Sequence, residues 1–592
     1  MHVHRLLLIL ACAAAASSLA VAGPDSSWPM YNKTYNGQRF SSLAEINSKT
    51  VASLHELCHA EVAPGGSFEA GLVMLDGVIY MTAEQETIAI DARDCSIRWR
   101  SSYVPEEDAF AKMSRGVAFY DGKVFRGTSD AHVLALDAKS GAVQWDDTVG
   151  DWRPGESVTG APLAWNGLIF TGISGGELGI KGRITAFDAL SGREVWRFNT
   201  IPTGKEVGAD SWKISATGSH GGGGSWSHFA LDPITAELFV PVGNPAPDFD
   251  THARPGSNLF TNSVVVLDAR TGTLKWWFQV GPNDGFDYDL SAAPLLYRDS
   301  ADNDVLAVAG KDGYLRVIDR TPHALRFKSA VTPIERSGQK AHETSVHLCP
   351  SAGGGVLWNG PAYDASRRSL FVGAVDWCGS YTVTPMAYKT GELYFAGHVD
   401  LDSHASGWIT AIDSDTGAVK WRFHADAPVM AGVTATAGGL VMTGDSAGNF
   451  LALDSGTGAL LKKIATGGAM AGGVITYSLG GHQYVAVAAG NVSRTAFGAL
   501  GKPTLIIMTT EDAGSTAPSD PAERGRVLYS RNCVVCHGVS GKGVINHDLQ
   551  GVTRAHVIAT LKAPRLPMPK MFPGLLGEQD LTDLAEYVAS FK

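Results

Sequence analysis

The sequence predicts an all-β eight-bladed propeller over residues 23–507, followed by a small all-α domain over residues 521–592. Three observations carry this reading. A short phrase repeats along most of the chain, glycine is abundant at 69 of 592 residues, and strand-like alternation gives way to helical periodicity after residue 507. Hydrophobic residues make up 44% and charged residues 18%, far from the balance of a disordered chain. A chain of this length holds several cores or one large repeat architecture.

The first residues read as an address. His4 and Arg5 precede the apolar run from Leu6 to Ala16, and Ala20-Val21-Ala22 places small residues before Gly23. This is the pattern of a secretory signal peptide, residues 1–22, with an apolar stretch too short to cross a bilayer. The mature protein is expected in the periplasm of a Gram-negative source, with no membrane span. With 48 Lys+Arg against 59 Asp+Glu the net charge is -11, which argues against nucleic acid or an anionic membrane as partner. Seven cysteines are present, of which Cys12 leaves with the signal. Cys58, Cys95, Cys349 and Cys378 form an even set suited to an oxidising compartment. Proximity in sequence pairs them as Cys58–Cys95 and Cys349–Cys378.

The repeated phrase is an apolar stretch ending in Asp, with Gly four residues on and Trp eight on. It stands as Leu134-Ala-Leu-Asp137…Gly141…Trp145 and Thr185-Ala-Phe-Asp188…Gly192…Trp196, and again as Val265-Val-Leu-Asp268…Gly272…Trp276 and Thr410-Ala-Ile-Asp413…Gly417…Trp421. Degenerate copies are Asp91…Cys95…Trp99, Asp319…His323…Phe327 and Asp454…Gly458…Lys462. Each copy reads as a strand, a tight turn and a second strand. Spacings of about 40–50 residues suit one four-stranded blade apiece. Seven copies, plus one blade closed by the two ends of the strand region, make eight, with the Trp residues as wedges between blades.

Residues 508–520 read as a linker, polar and containing Pro, Gly and Ser. A helical segment from Pro521 to Arg531 follows, then Cys533-Val-Val-Cys536-His537. Two thiols at this spacing form thioether bonds to a haem, and the adjacent His binds its iron, so one covalent haem c is expected at Cys533, Cys536 and His537. Met568, in Leu566-Pro-Met-Pro569, is the expected sixth ligand, with Met571 as the alternative. A final amphipathic helix places Leu581, Leu584, Ala585, Val588 and Phe591 on one face. The Met-Pro loop resembles the ligand loop of class I cytochromes c, which implies that fold for the tail.

Unusual polar residues stand on the loops between strands. Ser174-Gly175-Gly176-Glu177 sets a carboxylate behind flexible backbone, and Gly221-Gly-Gly-Gly-Ser225-Trp226 sets an aromatic plane beside glycines that admit a flat ligand. Asn244 offers an amide oxygen, Asp287 and Asp289 two carboxylates, and Lys311 a cation. Taken together these stretches resemble the pyrroloquinoline quinone (PQQ) dependent alcohol dehydrogenases, most closely from Arg115 to Arg320. Trp28-Pro-Met-Tyr31…Gly37-Gln-Arg39-Phe-Ser-Ser-Leu43…Ile46-Asn47 resembles that family's N-terminal signature. A C-terminal haem on the same exported chain is similar to the type II quinohaemoproteins.

The resemblance implies a site residue by residue. Glu177, Asn244 and Asp287 would bind a hard cation through oxygen. Trp226 would stack on PQQ, with Glu69, Arg115, Thr159, Ser174, Gly175 and Gly176 holding its carboxylates and carbonyls, Lys311 near its quinone oxygens, and Asn359 after Trp358 as a further contact. Asp287 would also take the alcohol proton. Asp289, two residues on, faces the same way on an extended segment and would add a further anionic ligand. Calcium is the expected ion, a lanthanide the alternative. The sequence departs from the family in two places: Ala109 and Phe110 stand where most relatives carry adjacent cysteines, and Gly224 replaces a Thr that contacts PQQ. The implied reaction is oxidation of a primary or secondary alcohol by hydride transfer to metal-bound PQQ. Electrons would leave through haem c to a soluble cytochrome c or cupredoxin. The alternative substrate is a sugar, polyol or polymer alcohol.

Overall fold

The computed structural model describes residues 26–106, 109, 111–213, 221–336, 346–492, 501–511, 520–533, 537, 541–542, 548–565, 568, 572 and 576–591. The expected signal peptide, Phe110, Cys536 and Met571 lie outside them.

Eight sheets follow one another around a ring. Seven lie within 73–102, 118–148, 163–199, 230–279, 295–330, 362–425 and 434–465, the last extended by Phe40–Ser41 in parallel register. The eighth joins Val474–Leu479, His482–Ala489 and Thr504–Thr509 to His55–Glu61 from the start of the chain. His55 pairs with Thr509 and Glu61 with Thr504 in antiparallel register. The two ends of the strand region therefore complete one blade, as the sequence predicts.

Ring closure is visible in the packing. A separate buried cluster lies between every pair of neighbouring blades: Val73 and Tyr80 with Val124 and Leu136, for example, or Leu238 and Val240 with Phe170 and Ile184. The cluster of Ile79, Ile88 and Ile90 with Ile475, Tyr477 and Ile507 joins the last blade to the first. Radial repetition leaves each blade only short edges, its first strand and its fourth.

The repeated phrase explains how blades lock. The Asp carbonyl accepts the Gly N–H at 2.8–2.9 Å, at Asp137/Gly141, Asp188/Gly192 and Asp268/Gly272 among others. The Asp side chain caps the same turn, as where Asp188 accepts from Ser191 N–H and Oγ. The Trp then reaches the next blade: Trp99 Nε1 donates to Ala138 O, Trp145 to Ala189 O, Trp196 to Ala269 O and Trp421 to Ser455 O, at 3.0–3.2 Å. Its ring lies flat over that blade's turn Gly. Two degenerate copies keep the turn's left-handed residue without Gly. Cys95 has φ +61° and bonds Cys58, which ties the closing blade to the first. His323 has φ +67° and stacks on Trp276 at 4.4 Å.

A ninth sheet, unforeseen in the sequence, takes two strands from the connection between the fifth and sixth blades and two from an insertion within the sixth. It orders Glu335–Arg336, Val346–Cys349, Gly379–Val383 and Gly397–Leu401. The second disulfide, Cys349–Cys378, joins the ends of its two central strands.

The C-terminal domain holds helices α1 (Pro521–Asn532), α2 (Arg554–Lys562) and α3 (Glu578–Val588). Asp520 caps α1 at the Ala522 N–H. Helices α1 and α3 meet where Gly525 lies against the Asp583 carbonyl. Arg524 spans the crossing with a two-pronged bond to the Asp583 carboxylate at 2.7 and 2.9 Å. Leu581, Leu584, Ala585 and Val588 are the buried face of α3, with Phe591 packed beside them. Arg526 of α1 pairs with Asp94 of the first blade at 2.7 Å.

Candidate functional site

Propeller topology decides where the polar loops gather. Within a blade the first strand is innermost and buried, and the fourth is outermost and alternately exposed. Because neighbouring strands are antiparallel, the segment entering the first strand and the loop joining the second to the third lie on the same face of the ring. Glu69, Arg115, Thr159, Trp226, Asp287, Asp289 and Asn359 occupy entering segments, and Ser174–Glu177, Asn244 and Lys311 occupy second-to-third loops. Every candidate in the propeller thus emerges on one face.

Arg115 organises the first group. It is buried, with Nη2 2.8 Å from the Glu69 carboxylate and Nη1 donating to Thr159 Oγ1 at 3.0 Å. Its guanidinium carbon lies 4.8 Å from the ring centres of both Trp226 and Trp358. Thr159 Oγ1 and Ser174 Oγ are 2.7 Å apart. Asn359 lies beneath, its amide donating to the Met430 and Ala471 carbonyls while its oxygen accepts the Tyr31 hydroxyl at 3.0 Å. Gly175, at φ +111°, turns the chain so that Gly176 reaches Asn244 and Gly224. Gly224 packs against the Ile173 carbonyl and the Ser174 backbone.

The second group is acidic. Lys311 Nζ, fully buried, lies 2.8 Å from Asp287 Oδ1 and 2.6 Å from Asp289 Oδ2. Asp289 Oδ1 accepts the Asn244 N–H at 2.8 Å, while Oδ2 faces the Lys311 ammonium as an ion pair. Asp287 holds φ +56°, a strained value for a side-chain-bearing residue. Burial pushes its carboxyl up to about 8, the Lys311 ammonium opposes this, and Asp289 and Glu177 add like charge. The Gly176–Asn244 approach joins this group to the Arg115 group, giving one continuous site.

Two features escape the sequence. The ninth sheet and its connections roof the site: the Tyr394 N–H donates to the Glu177 carbonyl at 2.7 Å, Tyr381 Oη to the Phe286 carbonyl at 3.1 Å, and Tyr288 Oη to the Pro350 carbonyl at 2.6 Å. The other is Asp248, four residues beyond Asn244 and completely buried. The signal for Asp248 was its loop: it shares with Asn244 a second-to-third connection that opens on this face.

In the C-terminal domain Cys533 closes α1, its N–H bonded to the Tyr529 carbonyl, and His537 N–H donates to the Cys533 carbonyl at 2.9 Å. Cys533 belongs to the core of Tyr529, Leu561, Leu581 and Leu584, and Met568 packs against that same core. Cys533 and Met568, distant in sequence, are thus brought to one interior.

Comparison with known proteins agrees with this geometry. Residues 28–324 match the family described as glucose/ethanol/alcohol dehydrogenase, beta-propeller domain, under the heading PQQ. Residues 520–588 match cytochrome C oxidase, cbb3-type, subunit III. The chain is 29% identical to quinohemoprotein alcohol dehydrogenase ADH-IIG of Pseudomonas putida, over 91% of this chain and 86% of that protein. It is 31% identical to a quinoprotein ethanol dehydrogenase of the same species, over 83% and 91%. The solved quinohemoprotein alcohol dehydrogenase of Comamonas testosteroni superposes with a TM-score of 0.75 at 26% identity, covering 96% of each chain. A PQQ-type propeller, a cytochrome c-type tail and full-length likeness to both together place this chain in the family of PQQ-dependent quinohaemoprotein alcohol dehydrogenases.

Proposed function

We propose that this protein oxidises a primary or secondary alcohol at the propeller axis and delivers the electrons through its own haem c to an external acceptor. The observation that carries the reading is the buried Lys311–Asp287–Asp289 cluster, joined to the Arg115–Trp226 platform on one face of the ring. The donor set fits the groups this chemistry needs. Glu177, Asn244, Asp287 and Asp289 offer only oxygen ligands, suited to calcium or a lanthanide. Trp226, Arg115, Glu69, Thr159, Ser174, Gly175 and Gly176 offer an aromatic face, a guanidinium, a carboxylate, hydroxyls and close backbone for a flat anionic quinone. Cys533, Cys536, His537 and Met568 would hold the haem.

When bound, PQQ accepts hydride, the metal ion acts as Lewis acid beside it, and haem c passes electrons onward singly. The chain's own residues do the rest. Asp287 takes the hydroxyl proton on its carboxylate. Lys311, 2.8 Å away, aims that carboxylate and stays paired with Asp289 at 2.6 Å once Asp287 carries the proton. Asn359 orders the floor by holding Tyr31 and the segment that bears Ala471. The ninth sheet excludes water by roofing Glu177 and Phe286. Pocket shape under that roof separates small alcohols from the alternative of a sugar, polyol or polymer alcohol. The leader at residues 1–22 supports export to the periplasm, residues 521–592 form the cytochrome domain, and the acceptor is a soluble electron carrier. Among the described residues no helix is long and apolar enough to cross a membrane.

The deciding experiment loads purified protein with PQQ and metal and follows the haem spectrum. Alcohol should reduce the haem without a dye mediator, and the haem should survive acid-acetone extraction of the denatured chain. Haem that extracts freely refutes the covalent attachment, and no reduction by any alcohol refutes the enzyme reading.

A further inference from the structure

Asp248 lies on the loop between the second and third strands of the fourth blade, within Asn244-Pro-Ala-Pro-Asp248. It is completely buried, and neither carboxylate oxygen has a hydrogen-bond partner. Its backbone is fixed from two sides. Arg254 donates to the Pro247 and Asp248 carbonyls at 2.8 and 2.9 Å, and the adjacent Phe249 N–H donates to the Phe395 carbonyl at 2.9 Å. The loop therefore has no freedom to carry the carboxylate to solvent.

The Phe249–Phe395 bond adjoins Tyr394, whose N–H donates to the Glu177 carbonyl at 2.7 Å, so the Asp248 loop borders the segment bearing Glu177. Burial pushes the Asp248 carboxyl up, the like charges of Asp287 and Glu177 add to this, and the Lys311 ammonium opposes it. Those are the residues of the cation site. Arg254, bonded to the Asp248 carbonyl, is answered chiefly by Asp284. Among the described residues the chamber thus sets four carboxylates, Glu177, Asp248, Asp287 and Asp289, against the ammonium of Lys311, with the Arg254 guanidinium bonded to the Asp248 backbone. Burying an ionised carboxylate without a partner is strongly unfavourable, and a nearby cation is the remedy.

The geometry points to Asp248 as a fourth carboxylate of the cation chamber, whose added charge makes the site favour a trivalent lanthanide over calcium. This rests on the metal-dependent reading above and revises the calcium expected from sequence. Asp289 already faces the Lys311 ammonium at 2.6 Å and accepts the Asn244 N–H at 2.8 Å, whereas Asp248 adds a carboxylate with no hydrogen-bond partner on either oxygen. Attraction grows with the product of the charges, so one carboxylate more helps a trivalent ion more than a divalent one of similar size.

The test uses full-length, PQQ-loaded, metal-stripped protein and needs no turnover. Tb³⁺ is titrated in with its luminescence sensitised through the site's tryptophans, and Ca²⁺ is used as competitor. Asp248→Asn and Asp248→Ser should each weaken Tb³⁺ at least tenfold and Ca²⁺ markedly less, lowering the Tb³⁺/Ca²⁺ preference. Glu177→Gln, run in parallel, should weaken both ions. A preference unchanged within twofold in whichever Asp248 variant folds overturns the proposal, as does wild-type protein that binds Ca²⁺ as tightly as Tb³⁺. Wild-type protein that binds neither ion overturns the metal-dependent reading itself.

Discussion

The rim of the propeller and its axial face are built on opposite principles. At the rim the same turn recurs blade after blade, neutral at its contacts, with a Trp ring laid over the next blade's glycine and an indole N–H bonded to its carbonyl. At the axial face no residue repeats. A guanidinium there lies 4.8 Å from the centres of two indoles set edge to face, and carboxylates crowd around a buried lysine. The rim stabilises the ring through many equivalent local contacts, whereas the axial face holds desolvated charge at a cost that the rim offsets. Stability and chemistry are thereby separable, and substitutions should show it.

The largest effect is expected on the axial face. Asp287→Asn should lower alcohol-driven haem reduction by about 10²–10⁴, the usual loss for a general base. The melting temperature should hold or rise, because a buried like charge is removed. Near-normal turnover in this variant would move the base elsewhere.

At the rim the Cys58–Cys95 disulfide closes the ring between the last blade and the first. Replacing both cysteines by serine should cost about 4 kcal/mol through the released chain entropy, read as a shifted denaturant midpoint. Activity per folded molecule should stay unchanged. An unmoved midpoint would mean that strand pairing alone closes the ring.

Between the two regions sits His228, buried, stacked on Tyr31 at 4.9 Å and hydrogen-bonded through Nδ1 to the Ala161 carbonyl. Burial lowers it from 6.5 to about 4. The unfolded chain then binds the proton more readily than the folded one. The stability this group contributes is full above pH 6.5 and is lost as pH falls toward and through 4, by about 3 kcal/mol. His228→Gln should flatten that part of the stability–pH profile, and an unaltered slope would assign the acid loss to other groups.

The smallest effect tests a single rim lock. Gly272 has φ +71°, and a methyl there would lie 2.5 Å from the Trp196 ring. Gly272→Ala should cost about 2 kcal/mol from backbone strain and the displaced ring. Thermal melting measures it, and haem reduction should be untouched. Loss of turnover at equal foldedness would show that the rim and the axial face are coupled.

Much of this was legible in advance for physical reasons. Asp-x-x-x-Gly…Trp is local chemistry, since the turn, its cap and the wedge are all set within about ten residues, so each copy announces a blade. The Cys533–His537 motif is equally local, because thioether attachment needs fixed spacing. Glu177, Asn244, Asp287 and Lys311 were found through resemblance and not through spacing, and the fold brings Asn244, Asp287 and Lys311 into one hydrogen-bonded cluster with Asp289. The ninth sheet was hidden because its strands, from Glu335 to Leu401, interleave with those of the sixth blade.

By itself the sequence determined the blade count, the closing role of the two chain ends, the disulfide pairs and the order of the two domains, since these follow from periodicity and short-range covalent chemistry. Only the tertiary structure decided which polar residues share a chamber. Arg115 reaches Trp358 across more than half the propeller's sequence, and Asp248 lacks a hydrogen-bond partner only because ring closure and the roof exclude solvent. Burial and electrostatic neighbourhood are properties of the closed ring, and no local stretch of residues encodes them.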